Sequence, residues 1–280
     1  MTTTELRVAG RPVGRYVHRP ELPERLSPRP YLHPLTTLAG VPVTDFMPGD
    51  HLHHLGVSLA VPDVDGRNFW GGRTFVRDRG PTELDNHGVQ EHRALLRGGP
   101  DGFAEELSWR SGGRELLRER RTVAVRALGE GRWALDVTFA LANPGAGELS
   151  LGSPATNGRP GAGYGGFFWR APAGPEPARV FSAGAEGEEA VHGRPADWLA
   201  LAGERWTLVF AGATEETRRD PWFVRVAEYP GVGSSLAWAE RLPVPAGGTV
   251  TRRIVTAVAD GRLGPAAAGA LARRLVEGSR

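Results

Sequence analysis

Trp133-Ala-Leu-Asp-Val-Thr-Phe-Ala-Leu141 alternates strictly between large apolar and small or polar residues. Trp133, Leu135, Val137, Phe139 and Leu141 fall on one face, and Ala134, Asp136, Thr138 and Ala140 on the other. A period of two belongs to a strand and excludes a helix. Outward from it, Phe103 to Leu151 reads as an antiparallel meander. Its turns are Gly98-Gly-Pro-Asp-Gly102, Ser111-Gly-Gly113, Gly129-Glu-Gly131 and Asn143-Pro-Gly145. Arg114 to Arg126 alternates less cleanly, but Thr122-Val-Ala-Val125 favours strand there too.

Upstream, Leu6 to His18 reads as a hairpin turning at Ala9-Gly-Arg-Pro12. Pro30-Tyr-Leu-His-Pro-Leu35 and Val41-Pro-Val-Thr-Asp45 flank a turn at Leu38-Ala-Gly40, and Gly56 to Val61 is a further strand. Residues 62–102 are mostly polar and read as a long loop, a feature that is uncommon in compact domains and usually functional. Downstream, Trp206 to Phe210, Trp222 to Val226, Ser235 to Trp238 and Thr249 to Val258 supply more strands. Only Gly264 to Glu277 looks helical, with Pro265 in its first turn. Some fifteen short strands with no linker predict one all-β domain over residues 1–280, a large antiparallel β-sandwich ending in a short helix.

The composition is that of a globular protein, 40% hydrophobic and 24% charged. All 34 cationic residues are Arg, scattered beside acidic ones, and the formal charge is +2, so no basic face for nucleic acid is expected. Cysteine is absent, which excludes disulfides, thiol nucleophiles and Cys-based metal sites. The N-terminus lacks a signal-peptide pattern, and no apolar run reaches the ~18 residues of a membrane span, so a cytoplasmic location is expected.

Chemistry is concentrated at Asp50-His-Leu-His-His-Leu-Gly56, since five of the eight histidines lie between His51 and His92. Imidazole moves protons near neutral pH and also ligates metals. If extended, this stretch puts His51 and His53 on one face and His54 on the other. His87 or His92, with Glu91, could complete a zinc or iron set, or Asp50 could fix a tautomer for acid–base work. Plain loop hydrogen bonding by these histidines is the bland alternative. Trp70, after Asn68-Phe69, suits stacking on a sugar face or simple core packing, and Tyr164 is equally ambiguous. Five glycines between positions 158 and 166 let the backbone approach a ligand, with Arg159 and Arg170 bracketing them. The stretch enters an aromatic strand, so it is not a dinucleotide fingerprint; no nucleophile elbow, Walker loop or H-E-x-x-H occurs.

Pro30 to Leu35, Asp50 to Gly56, Asn68-Phe-Trp-Gly-Gly72, Gly158 to Arg170 and Trp222-Phe-Val-Arg225 together resemble a bacterial family of unknown function often labelled "PmoA family", after a methane oxygenase subunit. The resemblance runs from about Arg29 to Gly261; Asp50, His51, His53 and His54 match its D-H-P-W-H-H-G-L pattern, whereas Leu52 and Leu55-Gly56 depart from it. A methane oxygenase subunit must cross a membrane, and nothing here is long enough to do so. What the resemblance implies is a galactose-mutarotase-like supersandwich and carbohydrate chemistry.

The expectation is therefore an enzyme acting on a small-molecule sugar or keto-sugar by epimerisation, elimination or hydration. His54 and His87 would transfer protons, while His51, His53, Trp70, Arg159, Tyr164 and Arg170 would bind substrate on a concave sheet face. No cofactor is expected. The alternatives are a non-catalytic carbohydrate-binding protein and a hydrolase or oxygenase with a His-bound divalent metal. Either proton-transfer or metal chemistry here requires His51, His53, His54 and His87 to meet in one pocket.

Overall fold

The computed structural model describes residues 2–277. Two large antiparallel sheets enclose a shared core, as the alternation at Trp133–Leu141 predicts. The seven-stranded sheet runs Thr3–Val8, Arg11–Val17, Tyr31–Leu35, Val57–Ala60, Gly166–Arg170, Gly231–Ser235 and Trp222–Arg225 in spatial order. The nine-stranded sheet runs Ala185–Glu186, Arg179–Ser182, Trp198–Ala202, Trp206–Gly212, Thr249–Asp260, Arg132–Ala142, Arg114–Gly129, Gly102–Ser111 and Val89–Gly99. A small three-stranded sheet joins Asp63–Val64, Leu149–Gly152 and Leu242–Val244, and Thr74–Val76 pairs with Gly80–Thr82.

Trp109, Trp133, Trp169 and Trp222 are all fully buried between the two large sheets. The nine-stranded sheet also buries part of its outer face. Ala134, Ala200, Ala202, Val209, Ala211, Ala257 and Ala259 are small there, which lets the helix Pro265–Glu277 settle through Ala268, Leu271, Ala272 and Leu275. That double coverage explains why every residue of Trp206–Gly212 is buried.

The pleat of the seven-stranded sheet sorts side chains between core and site. Phe167 and Trp169 enter the core, so Phe168 and Arg170 face outward. Trp222 and Val224 likewise enter the core, leaving Phe223 and Arg225 outside. The outer layer contains Ala60, Trp70, Phe168, Phe223 and Tyr229, with Tyr164 and Trp238 packed against it.

Three local expectations need correction. Val41 to Asp45 forms no strand beyond an isolated bridge, Thr36 to Pro42. The strand expected at Ser235 to Trp238 lies upstream at Gly231–Ser235. A Cβ at Gly233 would stand 3.0 Å from the Phe167 carbonyl, so a residue type with poor strand propensity is required by close approach. The polar stretch 62–102 ends in an eleven-residue strand, Val89–Gly99, at the sheet edge. Only Gln90 of that strand is buried and five of its eleven residues are exposed, including Leu95 at 50% and Leu96 at 45%. Register shifts between His92 and Ala94 and between Leu95 and Arg97 interrupt its pairing, which hides the period.

Candidate functional site

A cavity of about 280 Å³ opens on the outer face of the seven-stranded sheet, lined by Asp50, His51, His53, His54, Trp70, Arg73, Arg159, Tyr164, Phe223, Arg225, Glu228 and Tyr229, among others. The Asp50–Gly56 turn is tied down by its own backbone. The His54 amide donates to the His51 carbonyl, the Met47 amide to the His54 carbonyl, and the Gly56 amide to the Asp45 carbonyl. These bonds bring three imidazoles together. His51 stacks on His54 with ring centroids 4.5 Å apart, and His53 meets His54 edge-on at 4.8 Å.

Asp50 Oδ2 lies 2.8 Å from His51 Nδ1, which orients the ring of a side chain still 32% exposed. Asp50 is held below its ordinary range despite partial burial, by the bond to His51 and by the Arg170 charge. Tyr229 packs against both His51 and His54. Burial pushes the phenols of Tyr229 and Tyr164 upward, so both stay protonated at neutral pH. Arg159 stands beside the Tyr164 hydroxyl.

The backbone beneath the histidines is held by Arg29, a residue the sequence does not single out. It is 1% exposed, and its guanidinium donates to Ser58 Oγ and to the carbonyls of Leu26, Ser27, Trp70 and His53. Gly71 (φ +99°) completes this packing: a Cβ there would lie 2.6 Å from the Leu26 carbonyl and 2.8 Å from His53 Cβ. His192 braces the opposite wall, accepting from the Val224 amide through Nδ1 and binding the Gly161 carbonyl through Nε2.

Of the residues expected at the site, His51, His53, His54, Trp70, Arg159 and Tyr164 do line the cavity. Trp70 is 5% exposed and packed in the outer aromatic layer, so only an edge of its indole is available to the cavity. Arg170 lies behind the wall. Its guanidinium is 4.4 Å from the Tyr229 ring centroid, Nη2 is 3.5 Å from Asp50 Oδ1, and Nη1 is 3.4 Å from His54 Nδ1. It positions Asp50 and Tyr229 from beneath. His87 is not brought into the cavity: its Nε2 is bonded to the Gly72 carbonyl at 2.7 Å, and its backbone bridges Asn68. His92 stands elsewhere, bonded to Glu105. The four-histidine pocket is thus a three-histidine pocket with Asp50. Phe223, Arg225, Glu228 and Tyr229 join it from a distant part of the chain; the outward phase of Trp222–Arg225 was the available signal.

Burial holds His53 down to about 3, with the Arg29, His51 and Arg170 charges adding to the effect. Burial and the same neighbours, with His53 first among them, hold His54 well below its ordinary value. Both are therefore neutral at neutral pH. In the unfolded chain each titrates near 6.5, so below that pH the unfolded state binds more protons. Stability is full above about pH 6.5 and falls on acidification, by up to about 1.4 kcal/mol per pH unit per histidine. His33 and His192, also lowered mainly by burial, share the trend. The melting temperature should decline steadily from pH 7 to pH 5, and His54→Gln should flatten that decline; parallel profiles would show that His54 already titrates normally in the fold.

A family model described as a family of unknown function (DUF6807) matches residues 3–273. The chain belongs to that family. Its description names no chemistry, and it carries neither an oxygenase label nor a mutarotase one. No curated protein matches the chain. Among solved structures, a polysaccharide lyase aligns with a TM-score of 0.36 at 11% identity, over 89% of this chain and 33% of that one. A heparinase III aligns with a TM-score of 0.34 at 10% identity, again over 89% and 33%. The chain spans about a third of the length of these proteins.

Proposed function

We propose that the cavity binds an oxidised monosaccharide and moves a proton on the carbon next to its carboxylate or keto group. The Asp50–His51 pair carries this reading. A carboxylate on Nδ1 leaves Nε2 of a partly exposed imidazole as the proton acceptor, at the rim of a cavity of suitable size. His54 is a poor base because its buried ring resists protonation, and His87 lies outside the cavity, so proton transfer moves to His51. His53 and His54 serve as neutral hydrogen-bonding groups.

The rest of the lining suits such a substrate. Arg73, Arg159 and Arg225 line the cavity; Arg73 pairs with Glu83 and Arg225 with Glu188, which makes Arg159 the cation best placed to meet an anion. Trp70, Phe223 and Tyr229 offer apolar edges to a sugar ring. A volume of about 280 Å³ lies just under the ~300–1,000 Å³ of pockets for drug-sized ligands, which favours a single sugar unit. The Tyr164 and Tyr229 phenols remain protonated and can donate to the oxygen that gains charge. Epimerisation and elimination share this first step.

The step can be tested before the product is known. Hexuronates, aldonates and 2-keto sugar acids incubated with the protein in D2O should exchange the proton next to the carboxyl or keto carbon, as read by NMR. His51→Ala should slow exchange about 10²–10⁴-fold, the usual worth of a positioned base, with little change in melting temperature. Saturable binding of a sugar acid without exchange would leave a carbohydrate-binding protein, the non-catalytic alternative. Equal exchange by wild type and His51→Ala would remove His51 from the role.

A further inference from the structure

A second constellation lies between the sheets, away from the cavity just described. His18 follows the strand Arg11–Val17, His92 lies on the edge strand Val89–Gly99, and Glu105 on Gly102–Ser111. One ligand atom from each falls within 4.8 Å of the others, and among the described residues they are the group of three so placed. Both histidines aim Nδ1 at one oxygen: Glu105 Oε2 lies 2.8 Å from His18 and 2.6 Å from His92. With a proton on each Nδ1 these are two hydrogen bonds to one carboxylate oxygen; with those protons released, three lone-pair donors converge on one point, as ligands do on an ion.

We propose that His18, His92 and Glu105 bind one borderline divalent transition-metal ion, of the Zn2+ class. Two imidazoles and a carboxylate are a suitable set for such ions, and the remaining position would be taken by water. Ligands at about 2.1 Å from one ion stand roughly 3.0–3.4 Å apart, so each nitrogen–oxygen contact would open by about half an ångström, and the two imidazole ligand atoms, within 4.8 Å of each other, would take up the same spacing.

Three observations support it. The surroundings resemble an outer ligand shell, because Thr4 Oγ1 holds His18 Nε2 at 2.9 Å and the Tyr16 hydroxyl donates to Glu105 Oε1. The connected buried network holds two carboxylates, Glu105 and Glu119, and one guanidinium, Arg121, so any further positive charge there comes from His18, His92 or a bound ion. An entry path exists as well: a cavity of about 350 Å³, lined by His18, Arg19, Gln90, Glu91 and His92 among others, reaches both imidazoles. The pair Glu91–Arg93 at its edge is exposed and offers no competing buried ligand.

The test uses the whole chain stripped with EDTA and titrated with Zn2+ by calorimetry, with metal content measured after gel filtration. About one equivalent should bind. His92→Ala should weaken binding by at least ~100-fold, and Thr4→Val, which alters only the outer contact, by about 10-fold. His51→Ala and His53→Ala should leave Zn2+ binding unchanged. Where His92→Ala fails to fold, Co2+ added to wild type should give visible d–d bands of a low-symmetry nitrogen–oxygen site. A Co2+ spectrum identical to the aqueous ion, no Zn2+ binding by wild type, or binding that follows His51 and His53 instead of His92 would each overturn the proposal.

Discussion

Replacing Arg121 by Met should lower the free energy of unfolding by roughly 3–5 kcal/mol, the cost of stranding a buried charge. Arg121 is 3% exposed and its guanidinium is fully engaged. Nε donates to Glu119 Oε1 at 2.6 Å and Nη2 to Glu119 Oε2 at 2.8 Å, while the same group reaches Gln90 Oε1 and the Tyr16 hydroxyl. Replacing both members of such a pair by apolar residues can be neutral, but removing one is not. Glu119 would keep only the Trp109 indole N–H, at 2.8 Å, and Glu105 would lose the cation that helps hold its carboxyl below the ordinary range. Denaturant titration reads the loss directly. A change under 1 kcal/mol would mean that water or a rearranged partner already reaches Glu119.

Arg29→Met should cost about 3 kcal/mol or more and abolish ligand binding at the outer cavity. Four backbone carbonyls and Ser58 Oγ lose their donor, and each stranded buried group costs about 1–3 kcal/mol. Against this stands relief from burying a cation that faces no carboxylate, whose proton burial makes easier to lose. The carbonyl losses outweigh that relief because the bonds to Leu26, Ser27, Trp70 and Ser58 are buried and only the one to His53 is partly so. Two of the carbonyls belong to His53 and Trp70, so the damage is aimed at the site. A variant that melts normally and still binds sugar acids would show that the loops hold themselves without the guanidinium.

Much of the architecture was legible because packing writes a period into the chain. Trp133 to Leu141 keeps its alternation because one sheet covers its large side chains. Pro265 to Glu277 reads as a helix because it covers a sheet face and nothing else covers it. Val89–Gly99 escaped, since a strand at an edge with broken register buries too little to leave a pattern. The histidine turn was legible as a cluster because local backbone bonds fold it on itself. Arg29 was not, because one buried guanidinium looks like any other among 34 cationic residues. His87 was grouped with its sequence neighbours, but the Asn68 bridge turns its ring toward Gly72 instead. His18, His92 and Glu105 come from three strands whose register alone unites them.

The broken pairing along Val89–Gly99 also matters when many copies of the molecule are crowded together. A free sheet edge offers a row of unpaired amides and carbonyls, onto which another chain can add as a strand. Here that row would be long, and it carries two exposed leucines, Leu95 and Leu96, that could adhere. The two irregularities fall on either side of Leu95, and Arg93 and Arg97 stand beside them. Bulges twist the backbone out of step, so an incoming strand loses its ladder within a few residues. The same defects that hide this strand from a reader of the sequence keep its sheet from growing into a fibre.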